Sequence, residues 1–133
     1  MAQVKRLGYG LQALKLLAEQ NRHMNSSELA AALHCEPTAL RKVLSQLAEQ
    51  GLLDVRQGRC GGYKLSVRPD DIPLSAIYLA VKDEAAEWQG MLDTLKVNDS
   101  SEKVETVFKQ VLSEINQVLE QKLRGYTIAD LLD

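Results

Sequence analysis

Apolar positions change their period several times along this chain, and each change predicts an element. Leu7, Leu11, Leu14, Leu17 and Ala18 fall three, four and seven apart, which predicts a helix from about Leu7 to Gln20, ended by Asn21 and Arg22. A second helix is expected to begin at Asn25, a good N-cap residue with Glu28 at the capping-box distance. Leu29, Ala30 and Leu33 form its short apolar stripe, and His34-Cys35-Glu36 makes a turn. Pro37 suits the first position of a third helix, where a missing N–H costs nothing. Leu40, Val43, Leu44 and Leu47 give that helix a buried face, and Gly51 is its expected left-handed stop.

The period then shortens. Leu52–Arg56 and Tyr63–Val67 read as strands around a turn holding Gly58, Gly61 and Gly62. Pro69 to Pro73 is a linker, and Leu74, Ile77, Tyr78 and Val81 predict a short helix after it. Between Asp83 and Asp99, Trp88, Met91, Leu92 and Leu95 keep helical spacing, interrupted by Gly90. The longest periodic segment follows the N-cap candidates Asn98 to Ser101. Val104, Val107, Phe108, Val111, Leu112, Ile115, Val118, Leu119 and Leu123 make a broad apolar stripe. A helix from Ser101 to Leu123 would be ~34 Å long, more than one small head can cover. Its cheapest burial is against the same helix of a second chain, giving a symmetric dimer. Gly125 stops it, and Thr127 caps a last short turn through Leu132.

Two short helices, a tight turn and a Gly-tipped hairpin are the plan of a winged helix-turn-helix, a fold that grips duplex DNA with one helix in the major groove. The expected fold is mainly α with a small β-hairpin. Residues 1–82 form the DNA-binding head, and residues 83–133 a linker and dimerisation region.

Composition adds little until it is divided. The 133 residues are 45% hydrophobic and 26% charged, with a net charge of −2. Met1 to Arg68 holds ten Lys/Arg against five Asp/Glu, whereas Pro69 to Asp133 holds six against thirteen. A basic first half beside an acidic second half suits a polyanion-binding head on a solvated tail. No apolar run approaches a membrane span. Lys5 and Arg6 lead into an amphipathic helix rather than a signal-peptide pattern, so a cytoplasmic location is expected.

The resemblance to a known family is specific. Arg6-Leu-Gly-Tyr-Gly-Leu-Gln-Ala-Leu, the Ser26-Ser-Glu-Leu-Ala helix start and Leu47-Ala-Glu-Gln-Gly-Leu-Leu are similar to the Rrf2 family of bacterial transcription regulators. So are the Gly58-Arg-Cys-Gly-Gly-Tyr-Lys-Leu wing, the Ile72-Pro-Leu-Ser-Ala-Ile-Tyr-Leu-Ala-Val helix and the long C-terminal helix. The wing glycines followed by Tyr63 and Leu65 are the most diagnostic piece. Some members of that family hold an iron–sulfur cluster through three cysteines between the fourth helix and the long helix. Lys82 to Ser101 has no cysteine here, and thiolates are the usual cluster ligands, so no cofactor is expected. Pro37-Thr-Ala-Leu-Arg-Lys resembles the cluster-free branch. A second departure is Gln57, where members often have Arg before the first wing Gly.

The resemblance and the helix pattern together name the candidate DNA contacts. Arg41 would address guanine and Lys42 a phosphate, with Thr38, Ser45 and Gln46 as helpers. Ser26 and Ser27 would hold a phosphate at a helix N-terminus or simply cap it. Arg56 and Arg59 flank Gln57 on the wing; either would supply charge to the groove, and Arg59 is equally read as a solubilising turn residue. Tyr9 would touch a phosphate or pack against the wing. Cys35 and Cys60, the only cysteines, are read first as incidental and second as redox sensors, since both fall within the DNA-facing unit. A disulfide between them needs α-carbons within about 7 Å, an approach the order of elements does not supply. His23 and His34 read as surface histidines rather than metal ligands. Trp88, Met91, Leu92 and Leu95 read as packing before they read as an effector pocket.

The function expected is sequence-specific binding of double-stranded DNA by a homodimeric regulator, a repressor on a near-palindromic operator. The alternative is a winged-helix protein-interaction module, for which the low pI of about 5.7 speaks. An enzyme is not indicated: there is no phosphate-binding Gly loop opening a helix, no metal-ligand set and no nucleophile–base pair.

Overall fold

The computed structural model describes residues 2–82, 90–91, 93–95 and 102–133, with side chains described from Lys5 onward. The expected helix and N-caps between 83 and 101 lie largely outside the described residues.

Helix α1 spans Ala2–Gln20, several residues longer at its start than the apolar stripe alone predicts. Asn21 closes it in a left-handed conformation (φ 48°), its N–H bonded to the Leu17 carbonyl. Helix α2 spans Ser26–Leu33 and opens on a complete capping box. Asn25 Oδ1 accepts from the Glu28 N–H at 2.8 Å, and Glu28 reaches back to the Asn25 N–H. His34 then takes the left-handed conformation (φ 53°) that turns the chain toward helix α3, Pro37–Glu49. Leu40, Val43, Leu44 and Leu47 are fully buried on one face of α3, as their spacing requires. Gly51 (φ 78°) supplies the left-handed stop.

Strands β1, Leu53–Arg56, and β2, Gly62–Leu65, pair antiparallel with Leu53 opposite Leu65 and Arg56 opposite Gly62. Both are shorter than the expected runs. Beyond Leu65 one backbone bond, from the Ser66 N–H to the Leu52 carbonyl, continues the contact. The hairpin does not stand alone. Met24, in the α1–α2 connection, pairs with Tyr63 on the free edge of β2 through bonds of 2.9 and 2.8 Å. That approach explains the last glycine of the wing motif. A Cβ on Gly62 would run into the Met24 carbonyl, and its φ of 136° also disfavours any side chain.

The linker folds into a 3₁₀ turn at Pro69–Asp71, and helix α4 follows at Leu74–Val81. Leu74, Ile77, Tyr78 and Val81 are all buried, as expected. Gly10 of α1 lets α4 come close, for a Cβ there would sit 2.7 Å from Ile77 Cγ2. Arg6 donates from Nη2 to the Val81 carbonyl at 3.1 Å and so caps the end of α4. Helix α5, Glu102–Arg124, leans on α4. After Gly125 the chain returns to the head: Pro73 and Thr127 bridge, and Ile128 is fully buried in the same core as Ile72. A 3₁₀ turn at Ile128–Leu131 follows, with Asp130 accepting from the Thr127 N–H at 2.8 Å.

One core joins α1, α2, α3, the hairpin base, α4 and Ile128. Helix α5 differs: none of its residues is buried. Among the described residues no helix is long and apolar enough to cross a membrane.

Candidate nucleic-acid interface

The buried face of α3 dictates what its other face can present. With Leu40, Val43, Leu44 and Leu47 inward, Thr38, Arg41, Lys42 and Ser45 are all exposed. Gln46 is half-buried, and its Oε1 is shielded from solvent without a hydrogen-bond partner among the described residues. The helix therefore brings four of its five candidate residues to solvent and turns the fifth partly inward.

The leading end of α3 is organised by a residue that pattern reading passes over. Glu36 is the N-cap: its Oε1 accepts from the Thr38 N–H at 3.0 Å and its Oε2 from the Ala39 N–H at 2.8 Å. These two N–H bonds, then the Thr38 hydroxyl and the nearby Arg41 charge, hold the Glu36 carboxyl below the usual carboxylate range. Arg41 Nη2 in turn donates to Thr38 Oγ1 at 3.3 Å. The only sequence signal was position: Glu36 directly precedes a Pro at the first helical position, where Asn, Asp or Ser is the common cap.

On α2 the capping is done by Asn25, which leaves Ser26 and Ser27 as the first helical residues, half-buried and exposed respectively. Their hydroxyls are not needed for the cap. Glu28, however, already serves this end of the helix. Its carboxyl is held low first by the Arg22 guanidinium, at 3.0 Å, and then by the Asn25 N–H.

The wing carries Arg56 at its last strand position and Arg59 in the turn, both exposed. Its base is clasped to the head from the side: His23 Nε2 lies 2.9 Å from Asp54 Oδ2. Four other basic side chains are paired, Arg22 with Glu28, Arg68 with Asp70, Lys109 with Glu105 and Arg124 with Glu120. Among the described residues none of Arg41, Lys42, Arg56 and Arg59 forms an ion pair. Tyr9 is half-buried and packs against the core, with Lys5 Nζ 5.9 Å from its ring centre.

Cys35 and Cys60 are both free thiols. Cys35 is half-buried in the helix-turn-helix turn, and burial, followed by the neighbouring Glu36 charge, pushes its pKa up. That disfavours the thiolate and hence reactivity at Cys35. Cys60 is exposed on the wing tip. Of the pocket candidates Trp88, Met91, Leu92 and Leu95, only Met91 and Leu95 fall among the described residues.

Comparison with known proteins adds a family. The profile described as "Rrf2: Iron-dependent Transcriptional regulator" matches residues 4–133. YffB of Lactococcus lactis, named for an HTH-type transcriptional regulator, is 30% identical over 116 residues, 86% of this chain and 74% of that protein. The HTH-type transcriptional regulator NsrR of Geobacillus kaustophilus is 28% identical over 130 residues, 94% of this chain and 85% of that protein. Among solved structures, T. potens IscR has a TM-score of 0.66 at 24% identity, over 95% of this chain and 82% of that one. CymR of B. subtilis has a TM-score of 0.65 at 19% identity, over 95% and 92%. These two likenesses show the fold, with its winged head and long helix.

The family description names iron, and the donor set here does not suit it. The whole chain has two cysteines, one in the helix-turn-helix turn and one at the wing tip. Among the described residues no three His, Cys, Asp or Glu side chains gather into a metal site. A cluster held by three cysteines of one chain has no ligand set in this sequence. The regulator fold is nevertheless matched from residue 4 to the last residue, and the chain belongs to the Rrf2 family of transcriptional regulators, whose curated relatives are regulators rather than enzymes.

Proposed function

We propose that this chain is a sequence-specific DNA-binding regulator, a repressor that acts as a homodimer on a near-palindromic operator in a bacterial cytoplasm. The observation that carries the reading is the set of unpaired cations on two adjacent elements. Arg41 and Lys42 stand on the solvent face of α3, and Arg56 and Arg59 on the wing. Helix α3 enters the major groove, with Thr38, Arg41 and Ser45 toward base edges and Lys42 toward phosphate. Arg56 and Arg59 reach the flanking backbone, and Ser26 and Ser27 approach a phosphate from α2. Gln46 has the weakest claim, because its amide is partly turned inward. Residues 1–82 carry DNA binding, and residues 83–133 carry dimerisation.

The dimer rests on α5. Val104, Val107, Val111, Ile115, Val118 and Leu119 lie on one broad stripe and are between 39% and 55% exposed. A contiguous apolar face of this kind marks an interaction surface. A second copy of α5 matches it in length and character, and a twofold pair fixes the spacing of the two recognition helices.

The test is selection from a randomised duplex library by the full chain, followed by titration of the enriched duplex and a scrambled one across salt concentrations. A regulator enriches one palindromic sequence, and its affinity falls steeply with salt. Arg41→Ala should cost roughly 1–3 kcal/mol and relax one base position, whereas Lys42→Ala should weaken both duplexes alike. No enrichment, with no binding at low salt, would move the assignment to a protein-interaction module. The same titration after diamide treatment reads Cys35 and Cys60: loss of binding restored by reductant makes one of them a sensor, and indifference leaves both as bystanders.

A further inference from the structure

We infer that Glu36 is a specificity-determining and positioning residue: its carboxylate seals the leading end of α3 against phosphate and, through Thr38, sets the direction of Arg41. This rests on the DNA-binding reading above.

A helix N-terminus aimed at DNA is ordinarily an attraction for phosphate, because its first N–H groups are unsatisfied and the dipole is positive there. In α3 that end is already filled. The Thr38 and Ala39 N–H groups donate to the two oxygens of Glu36, at 3.0 and 2.8 Å. A full negative charge therefore stands where a phosphate would otherwise bind. Any duplex docked without regard to sequence brings its own charge against this carboxylate, and like charges brought together are costly.

The same group organises the reading side chain. A hydroxyl has one proton and two acceptor lone pairs. Thr38 donates its N–H to Glu36 Oε1 at 3.0 Å, and its hydroxyl oxygen accepts from Arg41 Nη2 at 3.3 Å. Glu36, Thr38 and Arg41 thus form a short chain along the first turn of α3, and all three are exposed. One guanidinium N–H is used internally, and the remaining donors stay free for the O6 and N7 of a guanine. The carboxylate oxygens each retain a lone pair. In the major groove the partners that satisfy them are base amino groups, cytosine N4 or adenine N6. A correct site therefore offers Glu36 a donor, and an incorrect one offers it a phosphate or another acceptor.

The experiment compares the wild-type chain with Glu36→Asn, Glu36→Asp and Thr38→Val on the enriched and scrambled duplexes, over a salt series. Asn is among the best N-caps, so Glu36→Asn removes the charge and keeps the helix start; thermal melting confirms that it folds. Glu36→Asn should bind the scrambled duplex roughly threefold to tenfold more tightly at low salt, with a much smaller gain on the enriched one. Glu36→Asp should restore the wild-type ratio of the two affinities. Thr38→Val, which leaves the charge in place, should weaken the enriched duplex about fivefold and leave the scrambled one unchanged. A folded Glu36→Asn chain with wild-type affinities overturns the inference, and so does one that gains equally on both duplexes. A wild-type chain that enriches no duplex overturns the DNA-binding reading and this inference with it. Enrichment by the wild type with no change of ratio in Glu36→Asn overturns this inference alone.

Discussion

The head and helix α5 use apolar side chains in opposite ways. In α3, every apolar residue that repeats at helical spacing between Leu40 and Leu47 is fully buried. In α5 the repeat is longer and as regular, yet no residue of the helix is buried. The head has completed its core within one chain, while α5 leaves its apolar stripe open to solvent. One period thus serves two ends: in α3 it makes the fold, and in α5 it provides the surface on which we propose that the dimer forms.

The sharpest way to break this comparison is to charge the stripe. Ile115→Glu combined with Val118→Glu places two carboxylates at the centre of the proposed seam. Burying an unpaired charge costs several kcal/mol, so sedimentation should find a monomer at concentrations where the wild type is a dimer. The head should keep its circular dichroism and a cooperative melt. A dimer that survives this change would place the interface elsewhere.

Truncating matched residues sharpens the same contrast. Leu44→Ala removes a fully buried side chain and should cost about 2–5 kcal/mol of stability. Val111→Ala, on a residue 39% exposed, should leave the melting of a monomeric variant unchanged and lower only the stability of the dimer. Urea titration of both variants in the monomeric background reads the difference directly. A smaller effect, local to the wing, is expected for Gly62→Ala. Its Cβ meets the Met24 backbone, which cannot rotate away as a side chain would, so a loss of roughly 1–3 kcal/mol follows.

What was legible in the sequence follows from the same division. Periodicity located α2, α3, α4 and α5, because each has a one-sided pattern, and Asn25, Pro37 and Gly51 marked boundaries for simple steric reasons. The pairing of Met24 with Tyr63 was not legible: a single bridging residue leaves no period, and only the glycine at position 62 hints at it. Nor was the return of Ile128 to the core, since one apolar residue after Gly125 looks like any other. Within the site, the exposure of Arg41 and Lys42 followed from the buried face opposite. The inward turn of Gln46 did not, because a residue at the margin of a helical stripe can go either way. Glu36 was missed because a charged residue in a turn reads as solvated. Its role depends on two N–H groups that become available only once Pro37 starts the helix.

The smallest effect concerns acid, and it falls on the head through its two helix caps. Glu28 is held below its ordinary value of 4.5 by Arg22 and the Asn25 N–H. Glu36 is held below the same value by the Thr38 and Ala39 N–H groups. A carboxyl whose folded pKa is depressed binds protons less readily in the native state than in the unfolded one. Its contribution to stability is complete above about 4.5 and disappears as pH falls through the folded value. Denaturation midpoints of the wild-type head should therefore decline as pH drops below about 5. Glu36→Asn, which caps without a titrating group, should flatten part of that decline, and Glu28→Gln another part. Both glutamates are exposed, so salt and water limit each contribution. An acid profile unchanged in the double variant would show that the caps act by geometry alone, leaving the charge of Glu36 with no role in folding and only its proposed one toward DNA.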